Sequence, residues 1–186
     1  FTGGEPTLRP DFLDLIRHAR ELGYRRVAVT TNGSMLARPP FFEAAVEAGL
    51  TSMGVSVHGC TPEVHDALTG RSGSFVRALH AIRNAVATRG SSAEVRLNTF
   101  TVVNRLNVER LVDLADLLSL LGVGLMVFQP TLLSKSNVEQ ASSVSLDLPD
   151  LIDAVKRVAL RGAVRGFRSK LYNLPPCLFR EAFAGL

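Results

Sequence analysis

Short runs rich in β-branched residues alternate with amphipathic helical segments along most of this 186-residue chain. Extended segments are predicted at residues 27–31, 53–57, 95–103 and 123–128, with Phe1 and Thr2 as the tail of another. Helices are predicted at 10–22, 40–48, 74–89, 107–122 and 148–164. Strands that alternate with helices of this length form right-handed βαβ units, so the chain is predicted to be an α/β protein with a parallel sheet. The pattern leaves open whether that sheet is doubly wound or closed into a barrel.

Polar residues are concentrated where the predicted strands end. In either type of parallel sheet, ligands bind at the carboxyl ends of the strands. This edge is predicted to bring together residues 3–5, 31–33, 56–59 and 98–102 with Gln129. Three stretches lack a regular pattern and are predicted to be loops or irregular: residues 58–73, residues 129–146 and the tail after residue 164.

The segment Thr2-Gly3-Gly4-Glu5-Pro6 is the most distinctive of these strand ends. Two residues without a Cβ atom allow close approach of the backbone to a ligand, and the Glu5 carboxylate can accept hydrogen bonds from an ammonium group. A tight turn with Glu5 at the N-terminus of a helix explains the same residues without any ligand. The segment alone does not decide between the two interpretations.

Composition excludes several classes of protein. The formal net charge of +4 comes from arginines dispersed among acidic residues, so a nucleic-acid partner is not expected. The longest apolar stretch, residues 117–128, is shorter than the roughly 20 residues of a transmembrane helix and is interrupted by Ser119, Gly122 and Gly124. The two cysteines, Cys60 and Cys177, form neither a disulfide framework nor a clustered metal site, which favours a cytoplasmic protein without a membrane segment.

Five motifs resemble those of the radical S-adenosylmethionine (SAM) superfamily, in the right order and spacing over most of residues 1–130. "FTGGEPTLRPDF" resembles the GGE motif after the second barrel strand, "VAVTTNG" the third strand and "VSVHG" the fourth. "HDALTGRSGSF" is similar to the loop and helix start that follow, and "VRLNTFTVVNRLN" to the fifth strand. The resemblance implies a partial parallel (β/α)6 TIM-like barrel, here truncated before the second strand. It assigns residues 1–146 to strands 2–6 of that barrel and 147–186 to a C-terminal helix and irregular extension.

The resemblance also implies a [4Fe-4S] cluster, whose CxxxCxxC ligands lie after the first strand of the family's barrel. The chain has no such motif, so the cluster ligands are expected upstream of Phe1 and none is expected within the chain itself. Cys177, in "LPPCLF", resembles a position that binds an auxiliary cluster in some relatives, although a lone cysteine is more often structural.

The family's SAM-binding residues map onto five positions. By the resemblance, Gly3, Gly4 and Glu5 receive the amino group of SAM, Ser56 contacts its carboxylate or ribose, and Gln129 contacts the adenosine part. Thr31 and Arg96 fall where some relatives of the molybdenum-cofactor branch contact substrate.

Two histidine positions stay open on the residues alone. His58 could touch substrate or be a structural histidine of a strand-exit turn. The pair His65-Asp66 is interpreted as a loop hydrogen bond or a helix cap, because no further metal ligands lie nearby.

The resemblance thus implies an enzyme that cleaves SAM reductively at the cluster to a 5'-deoxyadenosyl radical, which abstracts a hydrogen atom from an unknown substrate. A small molecule or a peptide is expected as substrate, and a flavodoxin or ferredoxin as electron donor. Without the cluster ligands the chain alone is expected to be inactive. The alternatives are a cluster-free α/β-barrel enzyme and a non-catalytic binding scaffold of the same fold.

Overall fold

The computed structural model describes residues 1–132, 138–139 and 144–173, and they form one parallel sheet with helices on one face. The strands are β1 (Ala28–Thr31), β2 (Ser52–Ser56), β3 (Arg96–Val103), β4 (Leu125–Pro130) and β5 (Arg168–Leu171). The helices are α1 (Phe12–Glu21), α2 (Pro39–Ala48), α3 (Pro62–Thr69), α4 (Ser74–Ala87), α5 (Leu111–Leu120) and α6 (Leu148–Arg165). Short 3₁₀ turns lie at Pro6–Leu8 and Val108–Arg110.

The strands stand in the sheet in the order in which they occur in the chain, and every neighbouring pair is parallel. A doubly wound sheet reverses its strand order at one point, whereas a barrel does not. The described strands therefore have the order of an open, partial barrel, and the predicted parallel α/β fold is confirmed. At the free edge of β1, the Phe1 amino group donates to the Ala28 carbonyl at 2.6 Å, and the Thr30 N–H donates to the Phe1 carbonyl at 2.9 Å.

The core lies between the sheet and its helices. Successive side chains of a strand point to opposite faces, so alternate positions such as Val29, Met53, Val55 and Phe128 are buried against the helices. The opposite, concave face has no helix among the described residues and carries polar and charged side chains, among them Arg96, Asn98, Arg168 and Lys170.

Helix α6 packs against α5 and joins the C-terminal part of the described chain to the barrel elements. Its buried stripe is Leu151, Val155 and Val158. On the surface, Arg161 forms a two-pronged ion pair with Asp116 of α5, with donor–acceptor distances of 2.8 and 2.7 Å. The proposed division of the chain at residue 146 stays a prediction.

Two predictions of irregular structure are wrong. Residues 58–73 contain α3, which begins with Thr61-Pro62 and ends before Gly70 in the left-handed conformation (φ 67°). The tail contains β5, which pairs with β4 from Leu125↔Arg168 to Phe128↔Leu171. Cys177 lies outside the described residues. None of the described helices is long and apolar enough to cross a membrane.

Candidate functional site

Six of the residues singled out in the sequence line one cavity at the carboxyl ends of the strands. This rim cavity has a volume of about 350 Å³, and the six are Gly3, Gly4, Glu5, Thr31, Ser56 and His58. They come from three separate stretches of the chain, the segment before α1 and the ends of β1 and β2. The parallel strand order therefore brings together three of the predicted stretches, whereas residues 98–102 and Gln129, predicted at the same edge, do not line this cavity.

The Glu5 carboxylate is the most connected group of the rim cavity. Its Oε1 accepts hydrogen bonds from the Thr31 hydroxyl at 2.7 Å, the Thr7 N–H at 3.1 Å and the Thr7 hydroxyl. Its Oε2 accepts from the Asn32 N–H at 2.6 Å. A carboxylate has about four lone-pair sites over its two oxygens, so Oε1 is saturated while Oε2 keeps room for one further donor.

Gly3 and Gly4 form the turn in front of Glu5, with φ angles of 86° and 49°. Residues other than glycine rarely adopt φ angles in this left-handed region. No atom lies within 4 Å of the position that a Cβ would take at either glycine. The turn therefore exposes bare backbone at the edge of the rim cavity.

The opposite wall comes from α3 and the start of α4, which the sequence analysis did not assign to the site. His65, Thr69, Arg71, Ser74 and Arg77 line it. The signal available in the sequence was the helix start at Thr61-Pro62 and the stop at Gly70, within a stretch interpreted as a loop.

Asp66 holds this wall together. Its carboxylate accepts from the Gly73 N–H at 2.6 Å, the Ser74 hydroxyl at 2.8 Å and the Phe75 N–H at 2.8 Å. These bonds, the one from Phe75 first, lower the pKa of Asp66. The interpretation of Asp66 as a helix cap is confirmed, because its carboxylate accepts from the first residues of α4.

His58 and His65 stack on each other, with ring centroids 5.7 Å apart and an interplanar angle of 17°. The His58 N–H donates to His65 Nδ1 at 3.0 Å, and the Val102 N–H donates to His58 Nδ1 at 3.3 Å. Burial, with a smaller contribution from His65, lowers the pKa of His58 to about 4, and burial also lowers the pKa of His65.

Arg96 and Gln129 do not line the rim cavity. Arg96 lies at the amino end of β3, in a second cavity of about 580 Å³ on the concave face, which we call the concave cavity. Gln129 lies at the end of β4, where its side-chain oxygen accepts from the Asn173 amide at 3.1 Å. Their proposed contacts to substrate and to adenosine stay predictions. Thr30 lines both cavities, so the two adjoin at β1.

The concave cavity is strongly basic. The basic residues that line it are Arg26, Arg89, Arg96, Arg168 and Lys170, against a single acidic residue, Glu94. Its floor includes Gly54, over which the Phe100 ring lies so closely that a Cβ at position 54 would be 2.3 Å from Phe100 Cε2. Two walls of the site thus carry positive charge, one in each cavity.

In the described part of the chain, no group of three or more His, Cys, Asp or Glu side chains is placed to hold a metal ion. Cys60, half-buried beside β2, is an isolated thiol. These residues do not fit the ligand set of an iron–sulfur cluster, which requires clustered thiolates.

A family model and a curated relative identify the family of the chain. The sequence model of a family described as the radical SAM superfamily matches residues 1–118. A protein of Saccharolobus islandicus named probable GTP 3',8-cyclase is 32% identical in an alignment of 185 residues that covers 97% of this chain and 56% of that protein. The chain therefore spans a little over half the length of this relative.

Two solved structures share the fold. Streptococcus suis SuiB bound to S-adenosylmethionine superimposes with a TM-score of 0.72 at 17% identity, over 99% of this chain and 40% of that one. Native anSMEcpe with bound AdoMet and the Kp18Cys peptide gives a TM-score of 0.68 at 20% identity, over 92% and 48% of the two chains.

Proposed function

Because the chain belongs to the radical SAM superfamily, we propose that its rim cavity binds SAM and that the protein uses SAM in a radical reaction. The family's chemistry is the reductive cleavage of SAM at a [4Fe-4S] cluster to a radical that abstracts hydrogen from a substrate. The cluster ligands are proposed to lie outside the residues described. In this reaction, the described residues bind and orient SAM and the substrate.

The observation that carries this proposal is the charge distribution across the rim cavity. One wall carries the Glu5 carboxylate and the exposed backbone of Gly3 and Gly4, and the other carries the guanidinium groups of Arg71 and Arg77. The methionine part of SAM has an ammonium and a carboxylate on the same carbon atom. A cavity with acceptors on one side and cations on the other suits such a zwitterion.

The acceptor wall is rigid before any ligand arrives. Glu5 is held by Thr7, Thr31 and Asn32, and it can take an ammonium at Oε2 without giving up any of them. A fixed acceptor loses little conformational entropy on binding, so a prearranged carboxylate gives more affinity than a mobile one.

The wall formed by α3 and the start of α4, which we call the donor wall, carries Arg71 and Arg77. Few acceptor groups of the protein compete with a ligand for their guanidinium N–H groups. Among the described residues, Arg77 donates only to the Ser72 carbonyl, at 3.1 Å, so its other guanidinium N–H groups can bind a ligand. The nearby carboxylate of Asp66 could compete for these arginines, but it already accepts three hydrogen bonds from the start of α4. We assign the SAM carboxylate to this side, near Ser56.

Isothermal titration of SAM into the anaerobic protein without reductant tests the binding site. Glu5→Gln and Arg77→Gln each remove one charge from the cavity, and each is expected to weaken SAM binding roughly tenfold or more, since a hydrogen bond to a charged group contributes about 1.5–3 kcal/mol. Arg83→Gln is the matched control, because Arg83 is exposed on α4 and lines neither cavity. Equal affinity in all four proteins would refute the assignment.

We further propose that the substrate is an anionic small molecule. The concave cavity adjoins the rim cavity at Thr30 and has five basic residues against one acidic residue. The relative named probable GTP 3',8-cyclase acts, by that name, on a nucleoside triphosphate, which makes GTP the first candidate. A peptide, such as the one bound to anSMEcpe, is the second candidate, and the excess of positive charge favours the first.

Binding of GTP and of uncharged guanosine distinguishes these substrates. GTP is expected to bind at least tenfold more tightly, and Arg168→Gln combined with Lys170→Gln on β5 is expected to remove most of that difference. Arg83→Gln is the control for loss of a positive charge outside the two cavities, although it removes one charge where the double variant removes two. If GTP and guanosine bind equally, the anionic substrate is excluded.

An electron donor of the flavodoxin or ferredoxin type is the protein partner that this chemistry requires, and we propose one on that ground. Formation of 5'-deoxyadenosine separates the enzyme from the two alternatives, and it is measured on the reduced anaerobic protein that carries the proposed cluster ligands, because the chain without them is expected to be inactive. A cluster-free barrel enzyme or a binding scaffold would leave SAM intact.

A further inference from the structure

We propose that Phe100 and Tyr172 form a platform in the concave cavity on which a planar aromatic ring of the substrate stacks, so that the substrate is an anion that carries such a ring. The inference rests on the proposed function, because it takes the concave cavity as the substrate site. It adds the part of the substrate that positive charge does not specify, since cations alone attract any anion of suitable size.

The two rings of this aromatic platform meet across β4. Tyr172 follows the last residue of β5, and its N–H continues the strand pairing by donating to the Phe128 carbonyl at 2.8 Å. The centroids of the Phe100 and Tyr172 rings are 6.4 Å apart, with an interplanar angle of 43°. Phe100 pairs in register with Val127 of β4, which lines the same cavity and is only 2% exposed. The three side chains thus form one apolar patch within a cavity whose other lining residues include five cations.

The position of Phe100 depends on the missing side chain at Gly54. A Cβ at position 54 would lie 2.3 Å from Phe100 Cε2 and 2.9 Å from Phe100 Cδ2. The Phe100 ring therefore leans across the neighbouring strand β2 and occupies the space in which most residues at position 54 would place their side chain. In this position the ring forms part of the floor of the concave cavity.

The aromatic platform is open toward the cavity. The Tyr172 side chain is 49% exposed and Phe100 is half-buried, although both belong to paired strands. A purely structural aromatic pair is covered by other core side chains, whereas this pair borders a cavity of about 580 Å³. Stacking on an aromatic side chain is a way to bind a planar base, because every base has a π face. The open rings therefore favour a substrate with a planar ring.

The cations of β5 lie on the same side of the strand as Tyr172. Arg168, Lys170 and Tyr172 follow each other at intervals of two residues, so their side chains point to one side, and all three line the concave cavity. Asn98, two residues before Phe100 on β3, also lines it and has an amide donor and acceptor for the polar edge of a ring. A nucleotide combines a planar polar ring with an anionic group, so it is the substrate class that this cavity fits.

Calorimetric titration with GMP and with ribose 5-phosphate tests the platform. Both ligands carry a ribose and one phosphate group, and only GMP has the ring. GMP is expected to bind roughly five- to 150-fold more tightly, the effect of one stacked base. Both titrations are made with saturating SAM, which occupies the rim cavity and so prevents GMP from binding there.

Substitutions at Tyr172 separate its ring from its hydroxyl group. Tyr172→Leu keeps an apolar side chain without the ring and is expected to lose most of the preference for GMP, with an unchanged affinity for ribose 5-phosphate. Tyr172→Phe keeps the ring and is expected to bind GMP within about twofold of the wild type. Tyr24→Leu is the matched control, because Tyr24 is the other tyrosine of the chain, is exposed and lines neither cavity.

Tyrosine fluorescence gives a readout that does not depend on affinity. The chain has two tyrosines and no tryptophan, so the difference between the wild type and Tyr172→Phe isolates the emission of Tyr172. Saturating GMP should quench this emission by stacking, and saturating ribose 5-phosphate should leave it unchanged. The emission that remains in Tyr172→Phe, which includes that of Tyr24, should not respond to GMP and corrects for absorption of light by the nucleotide.

Three results would overturn the inference while leaving the proposed function intact. They are equal affinities for GMP and ribose 5-phosphate, a wild-type preference for GMP in Tyr172→Leu, and Tyr172 emission that does not respond to GMP. Weaker binding of SAM to Tyr172→Leu, with unchanged binding of GMP, would also overturn it, because the adenine of SAM would then be the ring on the platform. A wild-type protein that binds neither phosphate compound would overturn the proposed anionic substrate and this inference with it.

Discussion

The Thr31 hydroxyl donates a hydrogen bond to Glu5 Oε1 at 2.7 Å and so joins the end of β1 to the glycine turn 26 residues earlier in the chain. The same hydroxyl oxygen accepts the Gly33 N–H at 3.0 Å. Thr31 is 2% exposed, so both bonds are shielded from water. One buried hydroxyl thus connects the end of β1 to the glycine turn, and together they form the acceptor wall of the rim cavity.

Replacement of this hydroxyl should loosen the acceptor wall. Thr31→Val keeps the shape of the side chain but leaves the buried Gly33 N–H without its acceptor and removes one donor from Glu5, so the free energy of unfolding should fall by about 1–3 kcal/mol. Thr31→Ser keeps the hydroxyl and should lose less than about half of that amount. Urea unfolding measures both, and equal stability of the two variants would contradict a role for the hydroxyl.

Gly59 should tolerate no side chain. A Cβ at this position would lie 2.8 Å from the backbone nitrogen of His65 and 2.8 Å from Val64 Cβ, and a backbone atom cannot move aside as a flexible side chain can. Gly59→Ala should therefore displace α3 from the end of β2, lengthen the His58–His65 bond and cost about 1–3 kcal/mol. Gly124→Ala, with no atom within 4 Å of its Cβ position, is the control. The same loss in both variants would exclude the steric explanation.

Stability should decrease on mild acidification. An unfolded histidine takes up its proton near pH 6.5, whereas folded His58 stays neutral down to about pH 4. The unfolded state therefore binds more protons between these values, so the free energy of unfolding falls as the pH falls, by at most about 1.4 kcal/mol per pH unit for this residue. His65, whose pKa is also lowered, adds to the slope, and the lowered pKa of Asp66 extends it to lower pH.

Urea unfolding between about pH 7.5 and about pH 4.5 measures this dependence. His58→Asn should have a shallower slope than the wild type over the interval. A wild-type stability that stays constant or rises on acidification would contradict a lowered pKa of His58 in the folded protein.

Two threonines of β3 should respond in opposite directions to the same substitution. The Thr99 hydroxyl is buried without a hydrogen-bond partner in the described part of the chain, whereas the buried Thr101 hydroxyl donates to the Val57 carbonyl at 2.7 Å. Thr99→Val should leave stability unchanged or raise it by about 1 kcal/mol, because a dry, unpaired hydroxyl is replaced by a methyl group. Thr101→Val should lower it by about 1–2 kcal/mol. Thermal and urea unfolding of the two variants compare them directly, and a loss at Thr99 as large as that at Thr101 would reveal an unrecognised partner.

The barrel elements could be predicted because each one has a strong local pattern. The strand near Val29 and the helix that begins at Ser74 have buried stripes with the periods of 2 and 3.6 residues that these structures impose. The short helix α3 has only eight residues, and its single fully buried side chain is a histidine, so periodicity gave no signal there. Strand β5 places the charged Arg168 and Lys170 on the concave face. Its strand conformation comes from its pairing with β4 rather than from its own composition.

In the candidate site, too, some residues could be predicted from local sequence patterns and others could not. Glu5, Ser56 and their glycines were predictable because strand ends meet at one edge of a parallel sheet. The wall that carries Arg77 could not be predicted, because its position depends on how α3 packs against the end of β2. The packing of α3 is set by contacts at Gly59 and Asp66, which belong to no strand motif. The bond between the His58 backbone and the His65 ring is a tertiary contact of the same kind.

The order of the strands in the sheet is the order of the strands in the chain. Among the described strands, none has to be inserted later between two that are already paired, and each pairing joins strands that are consecutive in the chain. As the chain leaves the ribosome, each new strand can dock on an edge that is already complete, so the acceptor wall at Glu5 and Thr31 can form before β4 and β5 have been synthesised.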